Sequence, residues 1–138
     1  MDVVRQIQVY NAGRDPERLR IKYQRMRSDS FAFLRGTCPL FYERLYAAKL
    51  SRSTPLVWIC GDLHLENFGS YKGNNRVAYF DLNDFDEAAL APASWELVRM
   101  LTSVLVGAAT LSISPSEAHT LCSVFLDNYA ASLGPFDA

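Results

Sequence analysis

At 138 residues, with 49% hydrophobic and 21% charged side chains, the chain has the composition of one soluble domain large enough to bury a core. Its net charge of −1 conceals an asymmetry: residues 1–52 hold eleven of the 14 Lys/Arg and five of the 15 acids, whereas residues 53–138 hold three and ten. The two halves are therefore expected to attract each other or to bind ions of opposite sign, and a pI near 6.1 argues against a nucleic-acid partner.

Cys38, Cys60 and Cys122 are scattered and odd in number, with no C-x-x-C. Neither a disulfide framework nor a zinc site is expected, and a reducing cytoplasm is the natural home. Met1 to Tyr10 mixes Asp2 and Arg5 with apolar residues, unlike a secretory leader. The longest apolar run, Met100 to Leu111, is too short to span a bilayer and predicts a buried helix. No membrane association is expected.

In chain order, residues 3–10 suit a short helix. Asp15-Pro16-Glu17 is a helix start, with an Asp cap, Pro at the first helical position and an acid in the first turn. Leu19, Tyr23 and Met26 form its apolar stripe. Arg18, Lys22 and Arg25 coat the rest, read either as a solvated face or as a loose phosphate-binding one. Ser28 to Gly36 breaks the periodicity, and Pro39 to Leu50 resumes it with Phe41, Leu45 and Ala48 on one face. Residues 51–55 read as a loop. From Leu56 the period changes: Leu56 to Cys60 is a short buried strand, Asn67 to Tyr71 begins another, Gly73-Asn74-Asn75 is a turn and Val77 to Phe80 returns. Ser94 caps a helix facing inward through Trp95, Val98, Leu101, Leu105 and Ala109. Ser114-Pro115-Ser116-Glu117 opens the last helix, with Ala118, Leu121, Cys122, Phe125 and Tyr129 as its stripe. The order is α+β: a basic helical segment (1–52), a β hairpin with its loops (56–87) and a helical pair (94–133).

The chemistry concentrates in Cys60-Gly61-Asp62-Leu63-His64-Leu65-Glu66-Asn67-Phe68-Gly69 and in Phe80-Asp81-Leu82-Asn83-Asp84-Phe85-Asp86-Glu87. Asp62, presented on a loop after a strand, suits the base that accepts a proton from an attacking hydroxyl. Asn67 and Asp81, helped by Asp84 or Asp86, offer oxygen ligands to a hard cation, Mg²⁺ or Mn²⁺. His64 reads as a hydrogen-bonding support of the loop, and Glu66 as solvent-facing. Arg35, beside Phe33 and Gly36, either lies near this cleft or covers the hydrophobic loop with its stem. Clustered acids in a turn are often merely solvated, so the bland alternative is an acidic hairpin.

Cys60-Gly61-Asp62-Leu63-His64-Leu65-Glu66-Asn67 resembles the H-G-D-x-H-x-x-N loop of the kinase-like superfamily, in particular its aminoglycoside and choline phosphotransferase branch, with Cys60 in place of the first His. Phe80-Asp81-Leu82 is similar to that superfamily's metal strand, and Trp95-Glu96-Leu97 to the W-D-L that opens its next helix. Over nearly the whole chain, Phe31-Ala32-Phe33-Leu34-Arg35-Gly36, the Cys60 to Gly69 loop and Asn83-Asp84-Phe85-Asp86-Glu87 resemble a bacterial family of uncharacterised proteins, domain of unknown function 2252, with Ser30 where that family has Pro. The resemblance implies the catalytic, C-lobe-like half of a kinase-like fold and a Mg²⁺-dependent phosphotransferase using ATP. The acceptor's identity is not implied. No glycine-rich loop or strand lysine occurs, so this chain alone is expected to show little activity and to expose apolar surface that invites oligomerisation. Two alternatives stand beside it: a non-catalytic domain acting in binding or assembly, and a metal-dependent hydrolase using Asp62 and His64.

Overall fold

The computed structural model describes residues 2–49 and 54–134. Four helices come first: α1 (Val3–Tyr10), α2 (Pro16–Ser28), α3 (Ser30–Gly36) and α4 (Cys38–Ala47). Strand β1 (Leu56–Ile59), a single 3₁₀ turn (Leu65–Asn67), β2 (Phe68–Lys72), β3 (Ala78–Leu82) and β4 (Ala89–Pro92) follow, then α5 (Ala93–Gly107) and α6 (Pro115–Ser132). The class is α+β, as the order of elements predicts.

Caps account for most helix starts. The Asp15 carboxylate accepts the Arg18 amide at 2.8 Å, and Ser114 and Glu117 form a reciprocal capping box on α6. The expected break at Ser28 to Gly36 is only one residue long. Asp29 ends α2 and its carboxylate accepts the amides of Phe31 and Ala32, so a second helix starts at once and buries Phe31 and Leu34. A short helix with two core residues has no visible period, which is why it read as irregular. Ser94 is not the cap of α5. That helix begins at Ala93, and the Ser94 amide donates to the Thr54 hydroxyl at 3.3 Å.

The strands form two antiparallel pairs. β2 and β3 make the expected hairpin, with Gly69 opposite Asp81 and Tyr71 opposite Tyr79. β1 pairs with β4, a strand the sequence did not suggest, with Trp58 opposite Leu90. β1 is not the buried strand expected, since only Ile59 is covered and Trp58 stays 76% exposed. Phe80 on β3 is likewise open, 73% exposed.

The core gathers Cys60, Leu63, Met100, Val104, Ala108 and Ala118, flanked by Leu65, Phe68, Leu82, Ile113, Cys122 and Phe125. α5 and its C-cap face it through Met100, Val104 and Ala108, and α5 also buries Arg99, Ser103 and Gly107; of the predicted stripe, Trp95, Val98 and Leu101 are half-buried and Leu105 and Ala109 exposed. Its Gly107 lies against Phe31 and Leu65 closely enough that an added Cβ would meet the Phe31 ring at 3.3 Å. In α6, Leu121 likewise points outward while Ala118 is buried. The predicted loop at residues 51–53 and the predicted helix end at Leu50 lie outside the described residues.

Candidate functional site

The loop after β1 is fixed by side chains from two helices. The Cys60 amide donates to Glu96 Oε1 of α5 at 2.6 Å. The Gly61 carbonyl accepts from the Tyr42 hydroxyl at 2.5 Å and the Cys38 thiol at 3.4 Å, both from α4. Gly61 has φ +89°, and a Cβ there would stand 2.0 Å from the Glu87 carbonyl oxygen. Glycine is thus required twice, for the left-handed conformation and for the close approach of the 84–87 segment. Burial pushes the Cys38 thiol up to about 12 and raises the Tyr42 hydroxyl and the Cys60 thiol as well, so all three remain protonated.

Asp62 comes next in that loop, its side chain 22% exposed. One carboxylate oxygen pairs with Nη2 of Arg99, whose side chain is 0% exposed and whose same nitrogen donates to the Leu34 carbonyl at 2.9 Å. The guanidinium carbon lies 4.8 Å from the centroid of the Phe41 ring. Arg99 Nε and Nη1 are buried without hydrogen-bond partners. The other oxygen of Asp62 faces His64 Nε2 at 3.8 Å.

His64 is buried against Phe31, edge to face at 5.7 Å, and its Nδ1 accepts the Glu66 amide at 3.1 Å. Burial lowers its pKa and outweighs the opposing pull of Asp62. A neutral ring accepting at Nδ1 carries its proton on Nε2, the nitrogen turned toward Asp62.

Asn67 is 3% exposed and joins two loops. Its Nδ2 donates to the carbonyls of Asp62 and Asp84, each at 3.3 Å, and its Oδ1 accepts the Asp84 amide at 3.0 Å. Its own carbonyl accepts the Asn83 amide at 3.0 Å. Asn67 therefore spends its side chain on the backbone. Asp84 accepts the Asp86 amide at 3.1 Å, an Asx turn, and Asp81 accepts the neighbouring Leu82 amide at 2.8 Å. Asp81, Asp84 and Asp86 are exposed, and no group of three or more His, Cys, Asp or Glu side chains is gathered to hold a metal ion among the described residues. Arg35 pairs with Glu66 across the face of this loop, so Glu66 is solvent-facing but not alone.

Asp62, His64 and Asn67 thus share one loop with Arg35 alongside, while the 84–87 segment is tied to it through Asn67 and Gly61. Of the residues that fix the loop from outside, Arg99 and Tyr42 were missed, and Glu96 was marked only through the resemblance of Trp95-Glu96-Leu97. The available signal was the i, i+4, i+8 stripe Arg99-Ser103-Gly107, which carries a charge and two small residues where an apolar stripe was sought. Also missed was the Tyr10 hydroxyl, which donates to Glu87 Oε1 at 3.0 Å and joins α1 to the same segment.

No helix among the described residues is long and apolar enough to cross a membrane. No curated protein and no solved structure matches the chain. A family model described as "Uncharacterized protein conserved in bacteria (DUF2252)" matches residues 14–138, which takes in Asp62, His64, Asn67, Arg99 and every acid of the second segment. The chain belongs to the DUF2252 family of bacterial proteins.

Proposed function

We propose that this domain carries the acceptor-binding half of a Mg²⁺-dependent, kinase-like phosphotransferase site, with Asp62 as the group that takes the proton of an attacking hydroxyl. The observation carrying this reading is the anchoring of Asp62: an exposed carboxylate edge held in place by a wholly buried Arg99 beneath it. A base must be positioned more than it must be strong, because phosphoryl transfer is catalysed chiefly by placement and charge neutralisation. Asn67 acts as a positioning residue that sets the 62 loop against the 84 loop.

Mg²⁺ is commonly held by one or two carboxylates together with substrate phosphates, so a three-acid cage is not required. The exposed Asp81, with Asp84 or Asp86, supplies oxygen donors of that kind, and a bound Mg²⁺ or Mn²⁺ would neutralise charge on a phosphoryl group. ATP is the donor this reading implies. Three scattered cysteines with no C-x-x-C suit a reducing, cytoplasmic setting.

Calorimetric titration of Mg²⁺ with ATP into the wild type and Asp81→Ala tests the metal assignment. A loss of about tenfold in affinity is expected; unchanged affinity overturns it. The little ADP release expected of this chain with hydroxyl-bearing metabolites should be lost in Asp62→Asn/Arg99→Met, which tests the base. Release unchanged in that double variant overturns the role of Asp62.

A second reading, a non-catalytic domain that assembles with a second copy, is favoured by one observation. Leu56, Trp58 and Leu90 form an exposed apolar face on a sheet that has two strands among the described residues, which leaves its outer edges open to pairing there. Its test is the oligomeric state in solution.

A further inference from the structure

Lys22 was expected on a solvated helix face or as a loose phosphate contact, yet it is half-buried and pinned. Its ammonium donates to Asn11 Oδ1 at 3.0 Å, and Asn11 is itself 1% exposed and anchored by its Nδ2 to the Ile7 carbonyl at 2.7 Å. The same ammonium lies 5.8 Å from the centroid of the Tyr10 ring, and the Arg14 guanidinium lies 5.1 Å from it. Two cations from different segments thus converge on one aromatic ring. Among the described residues neither forms an ion pair with a carboxylate.

Such a pair is costly, because like charges repel and one of them has lost part of its hydration. Burial and the nearby Arg14 both lower the Lys22 pKa, while Glu87 and then Asp62 pull it back, which places its ammonium within electrostatic reach of the loop. The ring's Tyr10 hydroxyl is bonded to Glu87, so the pair is tied to that loop by a direct contact as well. Asp62 is already neutralised by Arg99, so Arg14 and Lys22 face one uncompensated carboxylate, Glu87. Two cations held together at that cost, on a buried amide and an aromatic face, suit a ligand with two or more anionic oxygens.

We propose that Arg14, Lys22 and the Tyr10 ring form a binding site for a phosphate-bearing group, a phosphate ester or polyphosphate, beside the loop that carries Glu87. Arg14 offers a planar fork to two oxygens, Lys22 a point charge to a third, and Asn11 keeps the ammonium in place. The inference concerns recognition only and stands whether or not a phosphoryl group is transferred.

The test is calorimetric titration of pyrophosphate, ADP and adenosine into the whole chain at low salt. Pyrophosphate and ADP are expected to bind and adenosine not to. Tighter ADP than pyrophosphate assigns the phosphate to a nucleotide, and equal affinities to the phosphate alone; both support the site. Lys22→Gln and Arg14→Gln should each weaken pyrophosphate by about tenfold, Lys22→Arg by much less, and Arg20→Gln, an equal loss of charge on the exposed part of α2, by less than about twofold. Circular dichroism melts establish that each variant is folded. Equal losses in Lys22→Gln and Arg20→Gln would mean unspecific attraction and overturn the proposal. So would unchanged affinity in Lys22→Gln and Arg14→Gln, leaving both cations as partners of the C-terminal end of α1 only. Failure of the phosphotransferase reading is separable, since Asp62→Asn/Arg99→Met should abolish turnover and keep pyrophosphate binding.

Discussion

Asp62 and Arg99 are unequal partners: the arginine is wholly buried on α5, whereas the carboxylate keeps an edge in solvent. Removing one or the other leaves very different remnants. Without Arg99, Asp62 can turn to water; without the charge of Asp62, Arg99 is a buried cation with only a carbonyl and an aromatic face for company.

Asp62→Ala should therefore cost about 3–5 kcal/mol, the range for an ion left uncompensated in a protein interior, and Arg99→Met clearly less. The double variant should recover part of the loss. A urea-denaturation cycle over the four proteins reads this directly. Equal costs for the two single variants would refute the asymmetry.

Gly61→Ala should destabilise by about 2–4 kcal/mol, because it combines a strained left-handed φ with a backbone carbonyl in the space the methyl needs. Gly13, also at positive φ but with nothing within 4 Å of its added Cβ, should lose less on the same substitution. Chemical denaturation of both variants provides the comparison.

His64 makes stability depend on pH. Its folded pKa lies below the ordinary value of 6.5 because burial disfavours the charged ring, so the unfolded chain binds the proton first. Its contribution is fully present above pH 6.5 and is lost as pH falls from there through the folded pKa. His64→Asn, whose side-chain oxygen can still accept the Glu66 amide, should flatten stability against pH in that window. An unchanged slope would assign the acid sensitivity elsewhere.

Trp58→Ser should leave unfolding free energy within about 0.5 kcal/mol, since the ring is mostly in water, yet reduce self-association. Sedimentation velocity across a concentration series measures it. A monomer in the wild type, or association unaltered by the substitution, removes the sheet face as a contact surface.

The sequence disclosed the α+β order, the β2–β3 hairpin and the helix caps because each has a local cause: a turn, a cap or a period. It placed Asp62, His64 and Asn67 on one loop for the same reason. It failed where the cause is distant. α3 is too short to show a period, β4 exists because β1 needs a partner that lies far along the chain, as Trp58 opposite Leu90 shows, and the inward side of α5 is chosen by the loop it must hold. Arg99 illustrates this best. A charge amid apolar residues reads as a boundary, and only the position of Asp62 makes it an interior group.

The Asn67 side chain behaves as a peptide unit inserted between two loops. It is neutral, buried and bonded to backbone on both sides. Salt will screen the exposed Arg35–Glu66 pair and the cations of α2, but it has little purchase on that amide. Ionic strength should then tune how strongly a charged ligand is drawn in while leaving the distance between the two loops unaltered. Attraction and geometry are separately adjustable, and backbone amide chemical shifts at Asn83 and Asp84 should stay constant across a salt titration that changes ligand affinity.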